Sequence, residues 1–118
     1  MNATVLLVDD NRDAADSLAM LLEIGGHEVT AAYCAQDALK RALELKPRVI
    51  VLDIGLPDID GYELARRMRA MPELKGVRLI ALTGHGFDED RQRTREAGFD
   101  HHLVKPVDPD DLEKALAG

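Results

Sequence analysis

Five side chains in this sequence stand where chemistry could be done. Asp9 and Asp10 follow the apolar run Val5-Leu6-Leu7-Val8, and Asp53 follows Val49-Ile50-Val51-Leu52. Thr83 follows Leu79-Ile80-Ala81-Leu82, and Lys105 follows Leu103-Val104. Each polar residue comes directly after a run that must be buried, so all five are expected on one edge of the sheet. Three crowded carboxylates repel one another and resist ionisation without a counterion. Hard oxygen ligands of that charge suit Mg2+, which keeps several waters and takes a few carboxylates; Mn2+ accepts the same ligands. With a metal bound, an ionised Asp can act as a nucleophile toward a phosphoryl group. A lysine and a hydroxyl would then bond the remaining phosphoryl oxygens.

The elements that must position these groups are legible in the patterning. The three long runs are continuous rather than alternating and rich in branched residues, as in parallel strands buried on both faces. Val29-Thr30-Ala31-Ala32 and Leu103-Val104 are weaker, as edge strands are. Between the runs lie helical stripes: Ala14, Ala15, Leu18, Leu21 and Leu22 after an Asn11 cap, stopped by Gly25-Gly26. Ala35, Ala38, Leu39, Ala42 and Leu43 form a second, ending before Pro47. Leu64, Ala65, Met68 and Met71 form a third, closed by Pro72, with the methionines as core filler. A last helix opens at Asp108-Pro109-Asp110-Asp111 and buries Leu112, Ala115 and Leu116.

The fourth helix, about Asp88 to Ala97, carries only Ala97 and Thr94 as small or apolar anchors and is expected to be easily displaced. Strand and helix thus alternate five times. The pattern predicts an α/β, doubly wound five-stranded parallel sheet with five helices, in the order 2-1-3-4-5. Strands one and three are then neighbours at the switch point, above whose carboxyl ends ligands bind.

Composition excludes other classes. The chain has 118 residues, 22 acidic and 15 basic, for a net charge of −7. That length allows one domain, residues 1–118. An acidic balance argues against a nucleic-acid backbone binder, and 3% aromatics against base stacking. No run approaches a membrane span, and Met1-Asn2-Ala3-Thr4 does not open a signal peptide. The single Cys34 rules out an internal disulfide or a Cys-rich zinc site and reads as inert packing or surface. These features suit a soluble domain of a reducing, cytoplasmic compartment.

Val8-Asp9-Asp10, the segment Leu52-Asp53-Ile54-Gly55-Leu56-Pro57-Asp58-Ile59-Asp60-Gly61, Leu82-Thr83-Gly84 and Val104-Lys105-Pro106 together resemble the receiver domain of two-component response regulators, the CheY-like family. The spacings from Asp53 to Thr83 and to Lys105 are typical of that family, and the resemblance covers essentially the whole chain. It implies a flavodoxin-like receiver (response regulatory) domain. Asp53 would be the phosphoacceptor, charged from the phosphohistidine of a sensor histidine kinase or a histidine phosphotransfer protein.

Asp9, Asp10 and Asp53, with the Gly55 backbone carbonyl, would hold Mg2+. Thr83 would be the switch hydroxyl and Lys105 the partner of the phosphoryl group. Gly84 would leave the attack path open, and Lys105-Pro106 would be the family's cis peptide. The resemblance implies a signalling domain rather than an enzyme, with self-catalysed phosphotransfer and dephosphorylation only. Its switching surface would be the fourth helix, fifth strand and fifth helix, through which dimerisation is also open. The stretch from Leu82 to Pro106 resembles receivers attached to hybrid sensor kinases, and the short last helix favours a receiver cut from a larger chain.

Other residues have plainer readings. His102 stands where many receivers carry the Tyr or Phe that turns inward with the switch hydroxyl; an imidazole could act similarly and add pH sensitivity. His101 and His102 are adjacent on a strand and face opposite ways, so they cannot easily share a metal. His27 reads as a solvated turn residue. The resemblance implies that Gly55 and His85 stand at two variable positions flanking the site, which in this family influence phosphoryl lifetime. Asp58 and Asp60 fit turn chemistry closed by Gly61.

Three competing functions fit the sequence less well. A flavodoxin-like electron carrier needs a phosphate-cradling loop after the first strand, which Asp9-Asp10-Asn11 would repel. A magnesium phosphatase using Asp58-Ile59-Asp60 would need more chain. A degenerate docking receiver would have lost an acid or the lysine, and this sequence retains them.

Overall fold

A computed structural model describes residues 4–84 and 88–117. The strands are β1 (Thr4–Val8), β2 (Glu28–Ala32), β3 (Val49–Asp53), β4 (Arg78–Thr83) and β5 (His101–Val104). The helices are α1 (Arg12–Ile24), α2 (Ala35–Leu45), α3 (Gly61–Arg69), α4 (Asp88–Ala97) and α5 (Pro109–Ala117), with a 3-10 turn at Pro72–Leu74. All strand pairs are parallel, in the order β2-β1-β3-β4-β5. This is the predicted doubly wound sheet, and the two weaker runs form its edges.

The continuous apolar runs are buried on both faces, each face taking alternate residues. Leu6, Val8, Ile50, Leu52, Leu79 and Ala81 pack beneath α2, α3 and Ala97 of α4. Val5, Leu7, Val49, Val51, Ile80 and Leu82 pack beneath α1 and α5. Each full-size aliphatic side chain so buried contributes roughly 2 kcal/mol. Met68 is fully buried and fills the core, while Met71 only packs against its margin.

The caps fall largely where expected. Asn11 Oδ1 accepts from the Ala14 N–H at 3.1 Å; Asp60, read from the sequence only as a turn residue, caps α3, its Oδ1 accepting from the Glu63 N–H at 2.8 Å. Asp58 does more than shape a turn. Its two carboxylate oxygens accept from the Ala35 and Gln36 N–H groups at 2.9 and 3.0 Å, so it closes the first turn of α2 from another loop. Cys34 stands at the cap position of α2 without a side-chain cap bond, half-buried.

Two readings of the stripes need correction. On α1 the buried residues are Ala15, Ala19 and Leu22, whereas Ala14 and Leu21 face outward, because the helix meets the sheet slightly rotated. On α2, Leu43 is exposed for the same reason. His27 is not solvated. It is buried, and its Nε2 lies 3.0 Å from Glu113 Oε2, tying the α1–β2 turn to α5. No sequence-local signal marked that long-range partner.

One arginine spans three segments. From α3, Arg69 donates to the Gly98 carbonyl at 2.8 Å, the Val77 carbonyl at 2.6 Å and Asp100 Oδ2 at 2.6 Å. Among the described side chains of α4 only Thr94 and Ala97 are buried, as the sequence pattern predicts.

Candidate functional site

Register decides which side chains meet. Val8 pairs with Leu52, Asp53 with Leu82, and Thr83 with Val104. The residues following these pairs therefore emerge together at the carboxyl edge, around the junction of β1 and β3 where the chain reverses its winding. Asp9, Asp53, Thr83 and Lys105 meet there, and Asp10 stands at the rim.

Asp9, Asp10 and Asp53 each offer a carboxylate oxygen, and these oxygens all lie within 4.8 Å of one another. Lys105 Nζ donates to Asp53 Oδ2 at 2.7 Å and to Asp9 Oδ2 at 3.3 Å. The other oxygens are held by the backbone: Asp53 Oδ1 accepts from the Gly55 N–H at 2.9 Å, and Asp9 Oδ1 from the Asn11 N–H at 3.0 Å. The Lys105–Pro106 peptide is cis. An open cavity of about 300 Å³ lies beside Asp53, lined also by Gly55, Thr83 and Gly84, with Tyr62 and Arg93 on the side of α3 and α4.

The charges interact strongly. Burial opposes ionisation of Asp53, but the Lys105 ammonium and the Gly55 N–H overcome it and hold its carboxyl below the ordinary range. At Asp9 burial prevails, and the adjacent Asp53 adds to it, so the Asp9 carboxyl sits high despite the Asn11 N–H. The paired carboxylates thus ionise in sequence, Asp53 first because it has the shorter bond to Lys105. Burial would draw Lys105 down, yet the two carboxylates more than compensate and raise it.

A divalent cation fits this donor set. Three carboxylates and one ammonium leave about two negative charges uncompensated, and the ligand atoms are hard oxygens.

His102 is brought to the site from β5, but as a bridge. Its Nε2 lies 2.8 Å from Thr83 Oγ1 and its Nδ1 3.1 Å from Thr94 Oγ1. The ring therefore joins the threonine at the end of β4 to the buried threonine of α4. Thr94 carried no functional signal in the sequence beyond its place as an anchor. Arg93 carried none at all, since it sits in a strongly charged helix that reads as a solvated face. His85 lies outside the described residues.

The fold and this acidic edge are those of a signalling receiver, and the sequence comparison agrees. Residues 5–117 match the model of the response regulator receiver domain, and the chain belongs to that family of two-component systems. It is 41% identical over 108 residues to an uncharacterized 14.6 kDa protein of Leptolyngbya boryana, covering 92% of this chain and 82% of that one. It is 40% identical over 102 residues to the transcriptional regulatory protein PrrA of Mycobacterium leprae, covering 86% of this chain but only 43% of that one. A rice protein named as a histidine kinase matches at 32% identity, 97% of this chain covering 12% of its length. The chemotaxis response regulator CheY4 of Vibrio cholerae superimposes with a TM-score of 0.92 at 30% identity, covering 99% and 98% of the two chains.

Proposed function

We propose that residues 1–118 form a phosphoacceptor receiver domain, in which Asp53 takes a phosphoryl group from a phosphohistidine. The donor would be a sensor histidine kinase or a histidine phosphotransfer protein, either separate or covalently attached as a kinase module. The observation that carries this reading is the setting of Asp53: an ionised carboxylate at the base of an open cavity, held at one oxygen by Lys105 and at the other by the Gly55 N–H. Such fixing orients a nucleophile before its substrate arrives.

Asp9, Asp10 and Asp53, with the Gly55 carbonyl, would hold Mg2+ or Mn2+, which when bound supplies positive charge against the phosphoryl oxygens. Lys105 neutralises another of those oxygens, and a Cβ on Gly84 would meet no described atom within 4 Å, so the approach is open there. In transfer, the bond from phosphorus to the donor breaks with its electron pair leaving on the donor, and a bond to an Asp53 oxygen forms.

The added group brings about −1.5 to −2 charges at neutral pH. Thr83 then has a stronger acceptor than His102, and its hydroxyl turns toward the phosphoryl oxygen. His102 loses one of the two threonines it bridges, which changes the hold on Thr94 and therefore on α4. The surface of α4, β5 and α5 is the readout, open to a partner or to a second copy of the chain. The reading includes no nucleic-acid or membrane contact by this domain and a cytoplasmic location; no helix among the described residues is long and apolar enough to cross a membrane.

Intact mass after incubation with Mg2+ and acetyl phosphate tests the proposal. One phosphoryl increment is expected, absent from Asp53→Asn and from a sample with EDTA. No increment in the folded wild-type protein would overturn it and favour a docking module.

A further inference from the structure

Resting on the phosphoacceptor reading, we infer that Arg93 is a second cation for the incoming phosphoryl group, held ready on the ring of Tyr62. Its guanidinium carbon lies 4.3 Å from the Tyr62 ring centroid, and both residues line the cavity that opens over Asp53 and Thr83. Arg93 is the only cationic residue among those lining that cavity. Lys105 reaches Asp53 from β5, whereas Arg93 reaches the cavity from α4. A phosphoryl group seated on Asp53 would therefore lie between two cations carried on different elements.

The two have different tasks. The Lys105 ammonium is already shared between Asp9 and Asp53, so its charge is largely committed before a substrate enters. Arg93 is exposed and rests on an aromatic face, and it forms no ion pair among the described residues. An aromatic face is a weak holder of charge compared with an oxyanion, and a guanidinium fork matches two phosphoryl oxygens at once. As a guanidinium, Arg93 supplies hydrogen-bond donors and charge and takes no proton in the transfer. It binds the donor's oxygens while the old P–O or P–N bond breaks and the new bond to Asp53 forms.

The placement also has a directional consequence. When Arg93 leaves Tyr62 for the phosphoryl group, α4 loses its cation–ring contact with α3. Substrate binding thus loosens the helix that the Thr83–His102 bridge also holds.

The test measures initial phosphorylation rate against acetyl phosphate concentration at saturating Mg2+ in the wild type, Arg93→Gln and Arg93→Lys. Arg93→Gln is expected to raise the half-saturating concentration about fivefold or more, with a smaller change in maximal rate. Arg93→Lys should recover part of the loss, because it keeps the charge without the fork. In parallel, inorganic phosphate is titrated with Mg2+ present, following the Arg93 Nε–H resonance in the wild type and overall phosphate affinity in each variant. Equal half-saturating concentrations and equal phosphate affinities in wild type and Arg93→Gln would overturn the inference. If the wild type takes no phosphoryl group, the acceptor reading fails, and the phosphate titration alone then decides whether Arg93 binds the anion.

Discussion

Gly61 lies against the end of β3 so closely that a Cβ on it would stand 2.9 Å from the carbonyl oxygen of Asp53. It would also stand 2.6 Å from the Ile54 Cα, and both neighbours are backbone that cannot swing aside. Helix propensity favours Ala over Gly by about 1 kcal/mol, but this overlap must move either α3 or the Asp53 backbone. Gly61→Ala is therefore expected to destabilise by about 1–3 kcal/mol and to slow phosphoryl uptake at Asp53. Gly76→Ala is the control, since a Cβ there meets nothing within 4 Å. Urea denaturation and intact-mass time courses on both variants check the pair.

Asp9 is expected to cost stability in order to hold metal. Its carboxyl is raised above the ordinary 3.8, so the folded state favours the protonated form. Without Mg2+, stability should rise as the pH falls through that raised value toward 3.8. Asp53 has the opposite sign: its stabilising contribution is present above the unfolded value of 3.8 and is lost as the pH falls through its lower folded value. Denaturation midpoints measured against pH should thus pass through an acid-side maximum. Asp9→Asn should abolish the rise, add about 1 kcal/mol at neutral pH and weaken Mg2+ binding. A variant as unstable as the wild type in EDTA would refute this account.

Proton and metal compete for the same oxygens of Asp9. Mg2+ affinity should accordingly decline on acidification while the pH is still above 3.8, where an ordinary aspartate would remain ionised. Calorimetric titration at several pH values measures it. Proton release on metal binding should grow as the pH is lowered into that window.

His102→Phe removes both threonine bonds while keeping a planar ring. Amide exchange across residues 92–97 is then expected to be faster at rest and less responsive to beryllofluoride, a phosphoryl mimic. His102→Gln, which can still bridge two hydroxyls, should restore part of the response. Identical exchange in all three proteins would remove the bridge from the switching path.

Much of the fold was legible because a doubly wound sheet imposes its pattern locally. Runs such as Val49 to Leu52 have no polar face, so they belong inside, and whatever follows them must surface at one edge. Asp9, Asp53, Thr83 and Lys105 were found that way. What stayed hidden depends on partners distant in sequence. His27 gave no sign of Glu113, nor Asp58 of the α2 N-terminus, because hydrogen bonds between separate loops leave no periodic trace. The rotation of α1 was hidden too, since Leu21 and Leu22 are equally apolar and only packing against the sheet chooses between them.

The Asp58 cap gives a further check on that hidden class. Its carboxyl is held low by the Ala35 and Gln36 N–H groups. Its stabilisation should be complete above 3.8 and fade as the pH falls through its lower folded value. Asp58→Ala should cost about 1 kcal/mol at neutral pH, with Asp58→Asn costing less. The difference from wild type, followed by denaturation, should shrink in strong acid.

Arg69 and His27 make the molecule unequal in stiffness. Arg69 rivets the end of α3 to the segments around β4 and β5, and His27 moors α5 to the α1–β2 turn, while among the described side chains of α4 the buried ones are a threonine and an alanine, with Arg93 stacked on Tyr62. On the phosphoacceptor reading, a load applied at Asp53 would be taken up in α4 rather than spread evenly. A partner gripping α5 would feel a fixed reference, and one gripping α4 would feel the displacement. A detector needs both, and they flank β5 from opposite faces of the sheet.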